Sequence, residues 1–225
     1  MTRRPRREDD AAPLNSSQLL GRALGWWLEE PLWQAGLSRV AGVDEAGRGA
    51  LVGPVVAAAV LLTPKEPYAY RDSKQLTARQ RSLLAQEIAA HAVGWAIGCA
   101  SAAEVDAVGV LRATQLAAQR ALGSLNPPPE GLVTDYLQLD FAGPLVAVAK
   151  ADQQSLQVAA ASILAKSYRD ELMRKLDQLY PEYGLATHKG YGTPRHLAAL
   201  AQHGPCPEHR VSFRPVAQAR LFSSL

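Results

Sequence analysis

The sequence predicts an α/β fold built on a sheet of about five strands, with a helical tail at its C-terminal end. Three observations carry that prediction. Residues 40–45, 52–62 and 92–101 are β-rich or continuously apolar runs, the first two joined by a glycine turn, which reads as neighbouring strands. Residues 78–91, 111–122 and 155–179 carry helical apolar spacing and fall between or after those runs. Two shorter apolar runs, 132–135 and 144–150, each close on or beside a charged residue and supply a fourth and fifth strand. Strands interleaved with helices make an α/β sheet.

Taken in order, residues 1–14 carry four arginines, three acids and two prolines with almost nothing to bury, and read as a disordered basic tail. Residues 15–38 read as an N-terminal extension. Within it, 16–35 is expected to form one helix with Leu19, Leu20, Leu24, Trp27 and Leu28 along one side and Ser16 or Ser17 as its cap. Trp26, Trp27 and Trp33 read as packing residues. Residues 63–70, with Pro64 and Pro67, form a loop. Thr77 is placed to cap helix 78–91, and 102–108 is a short helical turn. The run Asn126-Pro127-Pro128-Pro129 breaks the chain. Helix 155–179 begins with small residues, VAAASILAKS, which suits close packing on a sheet, and Pro181 ends it. A last short helix is expected over 194–203. The boundaries drawn are a catalytic domain over 39–180 and a helical and loop lobe over 181–225 packed on it.

At 225 residues the chain is long enough for one sizeable core. Its 48% hydrophobic and 20% charged residues are ordinary for a soluble globular protein. No run approaches the ~18 apolar residues of a membrane span, and the N-terminus lacks a signal-peptide core. Cys99 and Cys206 lie far apart and suggest no disulfide framework, so a reducing cytoplasm is the expected location. Nothing marks an interface, and a monomer is expected. The net charge is only +3, but from Lys150 onward ten Lys or Arg face six Asp or Glu. A basic last third beside an acidic centre suits a polyanion held over bound metal.

That centre is RVAGVDEAGRGALVGP, residues 39–54. Asp44 and Glu45 close an apolar run, and burying ionised carboxylates requires a partner. Asp135 and Asp152 fall at or just beyond other strand ends. Four acids at one sheet edge cannot all ionise without cations, and oxygen-only ligands suit Mg²⁺ or Mn²⁺ rather than zinc. Two such ions ~4 Å apart activate water and stabilise the leaving oxygen in phosphodiester cleavage. Successive strand side chains point to opposite faces, so Asp44 and Glu45 share a site only where the strand ends or bends. The turn Gly47-Arg48-Gly49 misses the Rossmann spacing and lacks a P-loop's Gly-Lys-Ser/Thr. Beside the acids, its bare backbone and Arg48 make a contact for sugar and phosphate. Lys74, in Asp72-Ser73-Lys74, is either solvated or a phosphate contact. Tyr191, in THKGYGT, either packs or stacks on a sugar or base. His203-x-x-Cys206-x-x-His209 has the outline of a metal clip without a fourth nearby ligand.

Several segments together resemble the ribonuclease HII family, the type 2 ribonucleases H: GVDEAGRGALVGP (42–54), DSKQL (72–76), LRATQLAAQRAL (111–122), AVAKAD (147–152), AAASILAKSYRD (159–170), YGLATHKGYGTPRHL (183–197) and HRVSF (209–213). They occur in the family's order. The resemblance implies a ribonuclease H-like mixed β-sheet with a small C-terminal helical lobe. It implies cleavage of RNA in RNA–DNA hybrids and 5′ of ribonucleotides embedded in duplex DNA, with two Mn²⁺ or Mg²⁺ ions per site. Asp44, Glu45, Asp152 and Asp135 match its metal-binding acids. Family members usually carry glycine after the last of these, whereas this chain reads VTDYLQLD, which leaves Asp140 as a rival. Gly47, Arg48 and Gly49 match the turn that recognises the ribonucleotide, Tyr191 the tyrosine that senses the RNA-to-DNA step, and Lys74 a phosphate-contacting lysine. Ser162, Lys166 and His188 lie in matched motifs with no role assigned. The rival readings are another nuclease of the same fold, indifferent to the 2′-hydroxyl, and a hybrid-binding protein that has lost catalysis.

Overall fold

In a computed structural model of the chain, residues 24–64, 68 and 76–222 are described. The tail 1–14, the first part of the expected helix 16–35, most of loop 63–70 and Lys74 lie outside them. Five strands form one mixed sheet in the order β3-β2-β1-β4-β5: β1 (Val40–Ala46), β2 (Val55–Leu61), β3 (Gly94–Ala100), β4 (Gly131–Asp135) and β5 (Leu145–Val148). β2 pairs antiparallel with β1 and with β3. β4 pairs parallel with β1 and β5. The helices among the described residues are α1 (Glu30–Gln34), α2 (Ala78–His91), α3 (Ala102–Val108), α4 (Val110–Ser124), α5 (Leu156–Leu179), α6 (Leu185–His188), α7 (Pro194–His203) and α8 (Arg214–Phe222).

β2, VVAAAVL, is buried at every position, as expected of a strand covered on both faces. On one face Ala113, Ala117, Ala118 and Ala121 of α4 pack against Ala41, Val43, Val55, Ala57 and Ala59. On the other, Ile163 and Leu164 of α5 and Ile88 of α2 pack against Val56, Ala58 and Val60. The small residues opening α5 let it touch the sheet backbone: a Cβ on Gly42 of β1 would stand 2.2 Å from the Gln157 carbonyl carbon. Ile163 is fully buried in this layer, where truncation to Ala costs roughly 2–5 kcal/mol. Thr77 caps α2 in a box with Gln80, and Ser155 caps α5 by accepting from Val158 N at 3.0 Å.

The expected helix 16–35 is not continuous. Within its described part only Glu30–Gln34 is helical, while Gly25 and Trp26 form bridges with Ser155. Gly25 N donates to Gln154 O at 3.2 Å and Leu156 N to Gly25 O at 2.9 Å. Pro31 sits in the first turn of α1, where its missing N–H leaves no helical hydrogen bond unmade, and the backbone at Gly25 and Trp26 pairs instead with the segment before α5. Trp26 and Trp33 pack with ring centroids 5.3 Å apart. The second expected strand is shorter than 52–62, because Pro54 cannot donate to a ladder and Val52 bridges His209 instead.

The C-terminal segments around Gly190 and Arg210 are stitched to the chain between β1 and β2. Leu51 N donates to Gly190 O at 2.8 Å, Arg210 N to Leu51 O at 2.8 Å and Gly53 N to Glu208 O at 2.9 Å. The Asp106 carboxylate accepts from Val211 N and Ser212 N at 2.8 and 2.9 Å. No helix among the described residues is long and apolar enough to cross a membrane.

Candidate metal and nucleic-acid site

β1 runs farther than its parallel neighbour. The β1–β4 ladder ends at the pair Val43 and Thr134, whereas β1–β2 continues through Asp44, Glu45 and Ala46. The two acids stand in the last residues of β1, which ends at Ala46 before the Gly47 turn, and beyond the end of its ladder with β4. β4 itself ends on Asp135, and Tyr136, at φ 57°, turns the chain aside. Past β5, Lys150 at φ 60° opens a single 3₁₀ turn, Ala151–Gln153, that carries Asp152. Asp135 Oδ1 accepts from Ala151 N at 3.2 Å, which ties the two segments together.

Asp44, Glu45, Asp135 and Asp152 line one open cavity of about 510 Å³, with Gly47, Arg48, Gly49, Arg81, Ser162, Lys166 and Tyr191. Asp140 lies along a separate depression beside Arg112, Gln115 and Gln119. Burial pushes the Asp44 carboxyl well above the ordinary carboxylate range, the Glu45 and Asp135 charges push the same way, and a hydrogen bond with Ser162 opposes them. Burial also raises Glu45, against the pull of Arg48, whose Nη1 lies 3.1 Å from Glu45 Oε1. Glu45 Oε2 is buried without a hydrogen-bond partner. Oxygen donors whose ionisation is opposed by burial and by one another fit a divalent cation, which relieves both costs. Among the described residues, no three Asp, Glu, His or Cys groups already converge as a ligand cage.

The two glycines of the turn have different physical reasons. Gly47 sits at φ 93°, and a Cβ there would fall 1.9 Å from Arg169 Nε, so the fold itself requires glycine. At Gly49 a Cβ would meet only Tyr191 Cε1, at 3.9 Å; internal packing does not demand glycine there. Two fully buried arginines support the turn from below. Arg169 donates to the carbonyls of Val52, Pro54 and Lys189 at 2.9–3.0 Å. Arg210 donates to Gly53 O at 2.8 and 3.0 Å and to Arg48 O at 2.8 Å. Burial, with the Arg169 charge beside it, lowers Arg210 to about 10.

Ser162 and Lys166 had no role in the sequence reading, and Arg81 was absent from it. The first two are one turn apart on α5 and both line the cavity, and a polar pair at that spacing beside a run of small apolar residues is a readable signal. Arg81 offers no such signal. It reaches the cavity beside Asp170, which accepts from Arg81 Nη2 at 2.9 Å and from Lys166 Nζ at 2.7 Å. The outlined clip brings Cys206 Sγ within 3.1 Å of His209 Nδ1, but the His209 Nε2 faces His196, and among the described residues no three such groups converge.

A family model described as Ribonuclease HII matches residues 41–216. A curated Ribonuclease HII of Thermus thermophilus is 58% identical over 194 residues, covering 86% of this chain and 95% of that protein. The crystal structure of the ribonuclease H2 from Pyrococcus horikoshii superposes with TM-score 0.71 at 28% identity, covering 82% of this chain and 98% of that one. The fold is shared by Bst-RNase HIII, solved in complex with Mn²⁺, with TM-score 0.66 at 18% identity over 82% of this chain and 70% of that one.

Proposed function

Because the chain belongs to the ribonuclease HII family, we propose that it cuts duplex DNA 5′ of embedded ribonucleotides as well as RNA in hybrids. It is a ribonuclease H enzyme, and its family comprises divalent-metal-dependent endoribonucleases acting on RNA–DNA hybrids. One observation carries the finer reading: four carboxylates, the glycine-arginine-glycine turn and Tyr191 line the same cavity.

Asp44, Glu45, Asp135 and Asp152 would hold two Mg²⁺ or Mn²⁺ ions. When bound, such ions acidify water and stabilise charge on the phosphate and the leaving oxygen. Arg48 contacts the backbone phosphate as a fork of donors, its position fixed through its own carbonyl by Arg210. Gly49 leaves room for a ribose 2′-hydroxyl to approach the backbone, and that hydroxyl is what distinguishes RNA from DNA. Tyr191 stands across from Gly49 and packs on the sugar at the RNA-to-DNA step. Lys74 supplies a further phosphate contact. Cleavage leaves a 5′-phosphate and a 3′-hydroxyl. The cellular role we propose is ribonucleotide and RNA-primer removal in DNA replication and repair, by a cytoplasmic monomer. Residues 39–180 form the catalytic domain and 181–225 the lobe that carries Tyr191.

The test is a DNA duplex with one ribonucleotide, an RNA–DNA hybrid and an all-DNA duplex, each with EDTA, Mg²⁺ or Mn²⁺. We expect metal-dependent cutting of the first two and a single incision 5′ of the lone ribonucleotide. Equal cutting of all-DNA duplex would sink the reading.

A further inference from the structure

Three histidines of the C-terminal lobe, His188, His196 and His209, are packed together behind the cavity, and none of them lines it. His196 and His209 are buried, at 0% and 2% exposure. The His188 and His196 rings stack at 4.5 Å, His196 and His209 lie 5.3 Å apart, and Tyr183 stands edge-on to His209 at 4.8 Å.

Their hydrogen bonds determine where every ring proton sits. A backbone carbonyl only accepts, so the nitrogen facing it must carry hydrogen; a backbone N–H only donates, so the nitrogen facing it must be bare. His188 Nε2 faces Tyr183 O at 2.9 Å, and its Nδ1 receives Gly190 N–H at 3.2 Å. His209 Nδ1 receives Cys206 N–H at 3.0 Å, which in a neutral ring puts the proton on Nε2. His196 Nδ1 faces Tyr191 O at 3.0 Å and so carries hydrogen; its Nε2 is then bare, and it meets His209 Nε2 at 3.2 Å. Each ring holds one proton and each proton has one acceptor. The relay runs from His209 through His196 and ends on the Tyr191 carbonyl.

That terminus matters because it adds a side-chain anchor to a turn whose other ties are backbone bonds, Tyr191 N to His188 O at 3.1 Å and Leu51 N to Gly190 O at 2.8 Å. Gly190, at φ 81°, precedes Tyr191 and Gly192 follows, and glycine on both sides lowers the cost of other backbone conformations wherever such a tie is lost. Tyr191 O also accepts from Thr193 N at 2.8 Å, so the imidazole supplies its second hydrogen bond, from a buried ring. The tyrosine ring reaches the cavity opposite Gly49, with the Arg169 guanidinium 5.7 Å from its centroid.

We propose that His196, backed by His209, is a positioning residue for Tyr191: it fixes the tyrosine backbone so that the ring stands across from Gly49 and reads the ribonucleotide. The inference rests on the reading of Tyr191 given above and deepens it.

The kinetic test compares His196→Leu, similar in volume with no donor, and His196→Asn, whose Nδ2 replaces Nδ1. Both are assayed on the single-ribonucleotide duplex, alone and with Tyr191→Ala. We expect His196→Leu to raise KM about tenfold with kcat within about twofold, His196→Asn to recover most of that, and His196→Leu to add nothing to Tyr191→Ala. Equal impairment of Leu and Asn, a fall in kcat at constant KM, or additive losses would overturn the proposal. A Tyr191→Ala protein with unchanged KM removes both the reading of Tyr191 and this inference; a Tyr191→Ala effect with silent His196→Leu removes the inference alone. Should His196→Leu not fold, nitrogen-15 NMR of the labelled wild-type histidines decides. Protons on His196 Nδ1 and on His188 and His209 Nε2 support the relay, and a proton on His196 Nε2 overturns it.

Discussion

Tyr136 and Lys150 leave the ends of two neighbouring parallel strands in the same left-handed conformation, at φ 57° and 60°. One follows Asp135 directly and the other opens the turn that carries Asp152. The pair of reversals sets both acids at the edge of the sheet, with the Asp135–Ala151 hydrogen bond between them. For a residue with a Cβ this conformation costs roughly 1–2 kcal/mol. Tyr136 is 77% exposed and contributes little packing in return. Tyr136→Gly is therefore expected to stabilise the protein by about 0.5–1 kcal/mol, the relief exceeding the entropy that glycine adds to the unfolded chain. Urea unfolding checks this, with cleavage unchanged within about twofold. A lower urea midpoint would refute the strain account.

Gly47 and Gly49 are expected to separate stability from recognition. Alanine at 47 must take φ 93° and displace the buried Arg169, a loss of about 3 kcal/mol. Alanine at 49 meets nothing closer than 3.9 Å, so Tm holds within about 2 °C. Its cost falls on substrate, with KM for the ribonucleotide duplex up about tenfold. Melting curves and kinetics of both variants check the split; a Gly49→Ala that melts early but binds normally would reverse the assignment.

Asp44→Asn tests the electrostatic cost of the acid cluster. Burial and the neighbouring carboxylates hold Asp44 well above the ordinary range, so at neutral pH an ionised Asp44 is a destabilising group. The native state retains a proton that the unfolded state releases, and this lowers stability as pH rises above the ordinary Asp value. In metal-free buffer at pH 7, Asp44→Asn should melt a few degrees higher than wild type, while cleavage falls by roughly 1,000-fold or more. Added Mg²⁺ or Mn²⁺ should raise the wild-type Tm by binding the native state and move the variant less. Differential scanning calorimetry with and without EDTA measures both.

The parts of this protein visible in sequence are those set by local pattern. The unbroken apolar run of β2 and the small residues opening α5 foretell a sheet covered on both faces. Thr77 foretells the start of α2 to the residue. The acids were legible because carboxylates that close apolar strand runs have few structural uses. What escaped depends on distant partners. The expected N-terminal helix fails because Gly25 and Trp26 pair with Ser155, a contact no local spacing announces. Arg169 and Arg210 look like ordinary surface cations, yet both are fully buried and donate to backbone carbonyls between β1 and β2, Arg169 to Val52 and Pro54 and Arg210 to Arg48 and Gly53. The tyrosine after Asp135, where glycine is usual, left Asp140 as a rival to Asp135. In the structure it is a glycine-like turn occupied by a side chain that points to solvent.

Two buried groups should tilt the pH dependence of stability in opposite directions. Burial, with the neighbouring His196 charge, lowers His209 to about 4; the unfolded value is about 6.5. As pH falls below about 6.5 the unfolded chain takes up a proton that the native state refuses, so the stability held above that value is lost toward pH 4. The groups facing His209 are His196, Tyr183 and Cys206, and burial lowers His196 in the same sense. Glu29 is the opposite case. Burial raises it to about 7 from 4.5, against a hydrogen bond from Ser155. Between those values the unfolded chain releases a proton that the native state keeps, and stability falls as pH rises. Urea unfolding from pH 4.5 to 8 should therefore give two difference curves. The deficit of His209→Gln relative to wild type narrows as pH falls. Glu29→Gln gains on wild type from pH 4.5 to about 7 and then runs parallel to it. Parallel curves across the whole range for either variant would mean that its group ionises in the folded protein as it does in water.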